Sequence, residues 1–316
     1  MSRIFITRSV PGPAPQLLRN AGHHVHIWPG ELPPPPADLA AELARSDAVI
    51  AMVVDRITPQ MLAAAPRLRI VANMAVGYDN IDPAAAASLG IWVTNTPGVL
   101  AETTADLAIA LLLAAARRVV EADRHTRAGG WKTWSPTAFL GHDVFGATLG
   151  IVGLGEIGEA LARRARGFRM RILYHSRTRK PALEADLGLA YRPLPQLLAE
   201  ADFVSLHTPL TPQTRHLLDA TAFAAMKPGA ILVNTARGEV VDQDALAQAL
   251  QSGHLGGAAL DVTTPEPLPL DHPLYTFPNV IITPHIGSAS HTTRARMAEI
   301  AAANIIAVLA GREPPN

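Results

Sequence analysis

The chain has 316 residues, 27 Lys plus Arg against 27 Asp plus Glu, and no cysteine. The even charge leaves no broad basic footprint for nucleic acid or an anionic membrane, and the missing thiols exclude disulfides, thiolate metal ligands and a cysteine nucleophile. With 48% hydrophobic and 17% charged residues, it has the make-up of a globular protein long enough for about two domains.

Strand and helix signals alternate through the first hundred residues. Strands are expected over 4–7, 24–28, 48–53, 68–74 and 92–95, and helices over 14–20, 38–45 and 59–64. Met1-Ser2-Arg3 runs straight into the first strand without a secretory signal, so a cytoplasmic location is the default. Pro33 to Pro36 reads as a stiff extended loop. His23, His24 and His26 read as alternation within one strand, and no acid or cysteine at ligand spacing makes them a metal site. Asn95-Thr96-Pro97-Gly98 is a turn that closes this first series.

A long helix is expected from about Ala101 to about Arg127, opened by Thr103 with Asp106 three residues on and stopped by Gly129-Gly130. Its apolar run over 107–116 falls short of the ~20 residues a membrane helix needs. A helix apolar on most sides has to be covered, by a second domain or a second subunit. A second series starts near Ala147, with strands over 148–152, 171–174, 203–206, 230–234, 257–261 and 280–283 and helices over 156–167, 194–199, 220–226, 243–253 and 291–310. The pattern predicts an α/β protein with doubly wound parallel sheets, whose ligands sit at the carboxyl ends of the strands.

At the head of the second series, Thr148-Leu149-Gly150-Ile151-Val152-Gly153-Leu154-Gly155-Glu156-Ile157-Gly158 joins an apolar strand to a helix through spaced glycines. This is the dinucleotide-binding fingerprint. Gly153 permits the turn, Gly155 lets backbone approach a pyrophosphate, and Gly158 lets helix and strand pack closely. About 20 residues after the first glycine of such sites, an acid binds the adenosine ribose hydroxyl. Here that place reads Tyr174-His175-Ser176-Arg177-Thr178-Arg179-Lys180, with no carboxylate and three cations. Arginine grips a 2′-phosphate through paired charge-assisted hydrogen bonds, so NADPH is preferred and NADH remains usable. Hydride transfer to a carbonyl then needs a proton donor and a charge clamp. Arg237, Glu266 and His285 each follow a buried strand of the second series and are the candidates.

These stretches resemble the D-isomer-specific 2-hydroxyacid dehydrogenase family, and most of all its glyoxylate/hydroxypyruvate reductase branch. The resemblance rests on Val76-Gly77-Tyr78-Asp79-Asn80-Ile81-Asp82, Asn95-Thr96-Pro97-Gly98, the glycine fingerprint, His207-Thr208-Pro209-Leu210-Thr211, Asn234-Thr235-Ala236-Arg237-Gly238 and Thr283-Pro284-His285-Ile286-Gly287, in the family's order. It implies that His285 is the acid/base with Glu266 behind it to stabilise the imidazolium, and that Arg237 binds the substrate carboxylate and polarises the carbonyl. It implies that the backbone N–H groups of Val76 and Gly77 hold the same carboxylate from the other domain, and that Asp261 meets the nicotinamide carboxamide with Thr104 nearby. Glu156, Ile157, Ser176, Thr178, His207, Thr208, Pro209, Thr235, Ala236 and Gly287 fall on the implied cofactor path.

The implied architecture is two Rossmann-like or flavodoxin-like domains with a cleft that closes on hinges near Pro97-Gly98 and His285. The substrate domain is discontinuous, 1–98 plus 285–316, and the NADP-binding domain is 99–284 with a dimerisation arm at about 101–145. Trp134 of that arm either reaches the neighbouring subunit's site or serves the interface alone. The implied reaction is reduction of glyoxylate, hydroxypyruvate or another short 2-keto acid to a D-2-hydroxy acid by a homodimer, with no nucleic acid, membrane or metal involved. Glu266 separates the chain from formate dehydrogenases of the superfamily, which carry Gln there, and Val76 from phosphite dehydrogenases, which carry Lys. Phosphoglycerate- and lactate-type members usually keep the acid after the second strand. Met74 and Ala75 keep the substrate loop apolar. The alternatives are a different substrate, of phosphoglycerate, lactate or phosphite type, and a nucleotide-sensing corepressor on the same fold.

Overall fold

Short runs rich in Val, Ile, Leu and Ala become the strands of two parallel sheets. The computed structural model describes residues 1–316, which divide into two units, Met1–Leu100 with Ser288–Asn316, and Ala101–Gly287. The divisions fall a few residues later than the sequence suggested, so His285 stands in the second unit.

The first unit runs β1 (Arg3–Ile6), α1 (Ala14–Asn20), β2 (His24–Ile27), α2 (Pro36–Ala44), β3 (Ala48–Ala51), α3 (Pro59–Ala63), β4 (Ile70–Asn73), α4 (Pro83–Ser88) and β5 (Trp92–Thr94). Its strands are all parallel in the order β2-β1-β3-β4-β5, which is the flavodoxin-like arrangement. Strands buried on both faces carry near-continuous apolar sequence. On one face Phe5, Val49 and Val71 pack with Leu39, Leu43 and Leu62. The C-terminal helix His291–Leu309 belongs to this unit: it contacts β3, β4 and β5, and Arg69 Nη2 donates to the Val308 carbonyl at 2.7 Å.

The second unit runs α5 (Ala101–Ala116), α6 (Val119–Arg127), β6 (Thr148–Val152), α7 (Glu156–Ala165), β7 (Arg171–His175), α8 (Pro181–Leu187), β8 (Ala190–Tyr191), α9 (Leu194–Glu200), β9 (Phe203–Leu206), α10 (Ala220–Ala225), β10 (Ile231–Asn234), α11 (Gln243–Gln251), β11 (Gly257–Leu260) and β12 (Val280–Ile282). Its parallel sheet has the order β12-β11-β10-β9-β6-β7-β8. The chain winds outward from β6 through β7 to β8, then returns to β9 on the other side of β6. This reversal is the Rossmann switch point. The α5 helix packs on α7, β10 and β11, and Ala105, Ala108, Leu111 and Leu112 join the core beside β6.

Several expectations need correction. The single helix over 101–127 is two helices, broken where Arg118 adopts φ 54°. The break has a tertiary cause: the Ala116 carbonyl accepts from the His142 N–H at 2.8 Å, and Gly141 sits against the same oxygen with no room for a Cβ. Thr103 lies inside α5, which opens two residues earlier at Ala101. The four-proline run is not wholly a loop, because Pro36 is the first residue of α2, where a missing N–H costs nothing. Helices α4 and α8 and the two-residue β8 were not anticipated. The α4 signal is present in the sequence: Asp82 accepts from the Ala85 N–H at 2.9 Å with Pro83 in the first turn. No helix is long and apolar enough to cross a membrane.

Candidate active site

The fingerprint lies at the switch point. Gly153 has φ 98°, donates to the His175 carbonyl at 2.8 Å, and a Cβ on it would stand 2.6 Å from the His207 carbonyl oxygen. The ends of β6, β7 and β9 therefore meet around a position that only glycine can fill. Gly158 lies against the Gly153 carbonyl with no space for a side chain, which lets α7 rise directly from the turn. Gly155 differs: a Cβ there would meet nothing within 4 Å, and no side chain caps α7. Open space above Gly155 and uncapped N–H groups at the helix start suit a pyrophosphate, and the helix dipole adds to the attraction. The residues present fit a dinucleotide.

After β7, Ser176, Arg177 and Thr178 form a turn on the surface, and Arg177 has no ion pair or hydrogen bond. Arg179 is engaged by the Glu184 carboxylate, which contacts its Nε and Nη2 at 2.8 Å each. At the end of β9 the His207 ring is bonded to Ser205 Oγ (Nε2, 2.8 Å) and Thr235 Oγ1 (Nδ1, 3.4 Å). Although the residue is partly exposed, its ring is surrounded by protein, and desolvation holds it down to about 4. His207 is thus a neutral imidazole near neutral pH. Thr208 is half-buried and Pro209 exposed just beyond it.

The three candidate catalytic side chains are assembled by backbone contacts. Asn234, 1% exposed at the end of β10, takes the Ala236 N–H on its Oδ1 (3.0 Å) and donates Nδ2 to the Arg237 carbonyl (2.9 Å). That buried amide shapes the Thr235-Ala236-Arg237 turn, and Arg237 Nη1 donates to the Ala236 carbonyl at 2.8 Å. The next residue, Gly238, lies against the backbone of Thr263 and Thr264. Thr263 in turn donates its N–H to Glu266 Oε1 at 3.1 Å, and Glu266 Oε2 meets His285 Nδ1 at 2.9 Å. The two side chains remain 28% and 30% exposed, so the pair is accessible.

Asp261, 1% exposed, holds the turn that carries His285. Its Oδ1 accepts from Thr283 Oγ1 (2.6 Å) and the Ile286 N–H (2.8 Å), and its Oδ2 from the Gly287 N–H (2.7 Å). Burial pushes its carboxyl up, while those hydrogen bonds and the His285 charge pull the other way. The backbone N–H of His285 donates to the Asp261 carbonyl at 2.9 Å, with φ 53° at His285 itself. Thr104, on α5, lies beside Gly287: a Cβ on that glycine would stand 3.3 Å from Thr104 Cγ2 and 3.3 Å from Asp261 Oδ2.

In the first unit, the loop after β4 carries Val76 and Gly77. Their carbonyls are taken by Asn95 Nδ2 (2.9 Å) and Asn73 Nδ2 (2.8 Å), whereas neither N–H has a protein acceptor. Asn80 braces the same loop, donating Nδ2 to the Met52 and Asp55 carbonyls at 3.0 Å each. Two neighbouring unpartnered N–H groups suit an anion.

A family model described as D-isomer specific 2-hydroxyacid dehydrogenase, NAD binding domain, matches residues 109–287. A glyoxylate reductase of Korarchaeum cryptofilum is 53% identical over 99% of this chain and 95% of its own length. The chain belongs to the D-isomer specific 2-hydroxyacid dehydrogenase family. Among solved structures, a protein from Thermus thermophilus is 54% identical with a TM-score of 0.94, covering 99% of both chains. An NADPH-dependent glyoxylate/hydroxypyruvate reductase from Sinorhizobium meliloti, crystallised with NADP and malonate, is 34% identical with a TM-score of 0.85, covering 98% of this chain and 93% of that one. This family member is an NAD(P)-dependent oxidoreductase built of two parallel-sheet α/β units.

Sequence reasoning missed four positioning residues of the dehydrogenase. Asn73, Asn80 and Asn234 are strand-end or loop asparagines whose amides replace backbone partners, a role hinted at for Asn73 and Asn234 by an Asn that closes an apolar run. Gln243, the first residue of α11 and 8% exposed, accepts the Thr264 N–H at 2.8 Å and donates to the Thr264 carbonyl, clamping the loop that bears Glu266. Nothing in the local sequence distinguishes that Gln from an ordinary helix residue.

Proposed function

We propose that this dehydrogenase reduces short 2-keto acids, glyoxylate and hydroxypyruvate among them, to D-2-hydroxy acids with NADPH preferred over NADH. The observation that carries the reading is the Glu266–His285 pair, tied through Thr263 to the loop that packs on Gly238 beside Arg237. The names of the Korarchaeum and Sinorhizobium relatives support the substrate class.

A bound nicotinamide cofactor would supply the hydride that the carbonyl carbon takes up. Glu266 engages Nδ1 of His285, and Nε2 is the atom that hands its proton to the carbonyl oxygen. The imidazole that remains keeps its Nδ1–H on the carboxylate, ready to be reprotonated at Nε2. Arg237 binds the keto-acid carboxylate and polarises the carbonyl. The free N–H groups of Val76 and Gly77 suit an oxygen of the same class of anion. Backbone of Gly153, Gly155, Glu156, Ile157 and Gly158 would hold the pyrophosphate, and Ser176, Arg177 and Thr178 would receive the 2′-phosphate. His207, Thr208, Pro209, Thr235, Ala236, Asp261, Gly287 and Thr104 would line the remaining cofactor path.

The protein works as a homodimer joined through the 101–145 arm. Trp131 and Trp134 are 69% and 79% exposed there, with Val119, Leu140 and Phe145 also open to solvent, an apolar load suited to a second copy. A panel of 2-keto acids assayed with NADPH and NADH tests the activity. Turnover of glyoxylate and hydroxypyruvate with the phosphorylated cofactor favoured is the expected result; micromolar NADPH binding without turnover of any keto acid would sink the reading. Sedimentation at micromolar concentration tests the dimer, and a monomer there would reject it.

A further inference from the structure

We propose that Glu184 is a built-in rival of the cofactor's 2′-phosphate for Arg179, and that it limits how strongly this chain favours NADPH over NADH. The proposal rests on the reading that the turn after β7 receives the 2′-phosphate.

The turn itself contains no acid, but the fold returns one to it. Glu184, one turn into α8, presents its carboxylate to Arg179 fork to fork: Nε on Oε1 and Nη2 on Oε2, both at 2.8 Å. A phosphate oxygen pair takes the same planar grip on a guanidinium. The carboxylate is held in place from behind. Tyr174, fully buried at the end of β7, donates its hydroxyl to Glu184 Oε1 at 2.6 Å and accepts the Lys180 N–H at 2.8 Å. The guanidinium stands over the Tyr191 ring, 5.9 Å from its centroid. The Arg179 and Tyr174 hydrogen bonds hold the Glu184 carboxyl at about 2, so it remains an anion throughout the working pH range.

Two arginines of one turn are therefore unequal. Arg177 has no partner in the protein and can close on a phosphate directly. Arg179 can do so with its paired edge only by leaving Glu184, and the carboxylate it leaves behind repels the incoming dianion. Removing the charge of Glu184 while keeping its shape frees Arg179 and raises the net positive charge of the turn by one. The neutral amide still offers Tyr174 an oxygen acceptor, which preserves the anchor of the turn.

The test measures binding of adenosine 2′,5′-bisphosphate and adenosine 5′-monophosphate to the full-length protein by calorimetry, so that no turnover is needed. Glu184→Gln is expected to tighten the bisphosphate several-fold, leave the monophosphate unchanged, and show a gain that shrinks with added salt. Arg179→Met in the wild-type background is expected to cost bisphosphate affinity much less than Arg177→Ala, and to erase the gain when combined with Glu184→Gln. Weaker bisphosphate binding by Glu184→Gln overturns the proposal, since the carboxylate would then position the arginine for the phosphate; an unchanged ratio overturns it too. Should Glu184→Gln fail to fold, Arg179→Met alone decides: a loss equal to that of Arg177→Ala means Arg179 already grips the phosphate. A wild-type protein with no bisphosphate preference and no response to Arg177→Ala would instead sink the NADPH reading, while a gain in Glu184→Gln would still uphold the rivalry.

Discussion

Gly238 lies against Thr263 and Thr264 so closely that a Cβ on it would collide with the Thr263 carbonyl and stand 2.7 Å from the Thr264 nitrogen. This contact brings the Arg237 turn and the Glu266 loop together, and it is backbone on both sides, with no flexible side chain to yield. Gly238→Ala is expected to destabilise the protein by about 1–3 kcal/mol, the usual cost of overpacking, and to lower kcat. Urea denaturation together with steady-state kinetics checks both. Wild-type stability and rate in the variant would show that the loops can separate without consequence.

Loss of the proton donor should leave nucleotide binding alone. His285→Ala is expected to reduce turnover by roughly 100- to 10,000-fold with NADPH affinity intact, the range general acid–base groups contribute. Glu266→Gln, which can still accept at Nδ1 of His285 but carries no charge, is expected to cost less. Rates near wild type for His285→Ala would move the proton to another group.

Arg237→Ala should act on the substrate side. A charge-assisted hydrogen bond contributes roughly 1.5–3 kcal/mol, so KM for a keto acid is expected to rise about tenfold or more, with nucleotide affinity unchanged. Steady-state titration of glyoxylate measures it, and an unaltered KM and kcat would assign the carboxylate elsewhere.

Arg177, the unpartnered cation of the turn after β7, is expected to matter only for the phosphorylated cofactor. Arg177→Ala should weaken NADPH by roughly tenfold, on the same scale of charge-assisted bonds, and NADH by little. Fluorescence titration with both nucleotides distinguishes this from an equal loss of the two, which would make the turn mere surface.

The desolvated imidazole of His207 predicts a pH dependence of stability. Its folded value is about 4 against an ordinary value of 6.5, so between these limits the unfolded chain binds the proton more readily. Stability from this group is full above pH 6.5 and falls as pH drops toward 4. The loss is up to about 3 kcal/mol by linkage. His207→Gln should flatten that part of the profile in denaturant melts at stepped pH. An identical profile in the variant would show that other groups carry it.

Much of the fold was legible because it is written in short-range pattern. Short runs rich in apolar residues marked β1 through β7 and β9 through β12 to within a few residues. The glycine spacing located the switch point, since each glycine answers a local need of turn, approach or packing. The candidate chemistry was readable for a related reason: Arg237, Glu266 and His285 all follow strands of one sheet, and parallel sheets align strand ends.

What the chain could not announce is what depends on partners distant in sequence or on competition between neighbours. The α5–α6 break needs His142 to reach the Ala116 carbonyl, and the Glu266 loop needs Gln243 and Gly238 from a separate turn. Arg179 looked as available as Arg177 until the fold of α8 brought Glu184 onto its paired donors. Residue order by itself determined the strands, the phosphate turn and which side chains stand at strand ends, because those follow from backbone conformation over a few residues. Only the tertiary structure decided which polar groups are already satisfied and which remain free for a ligand, because a hydrogen bond once made to protein must be broken before it can be offered to anything else.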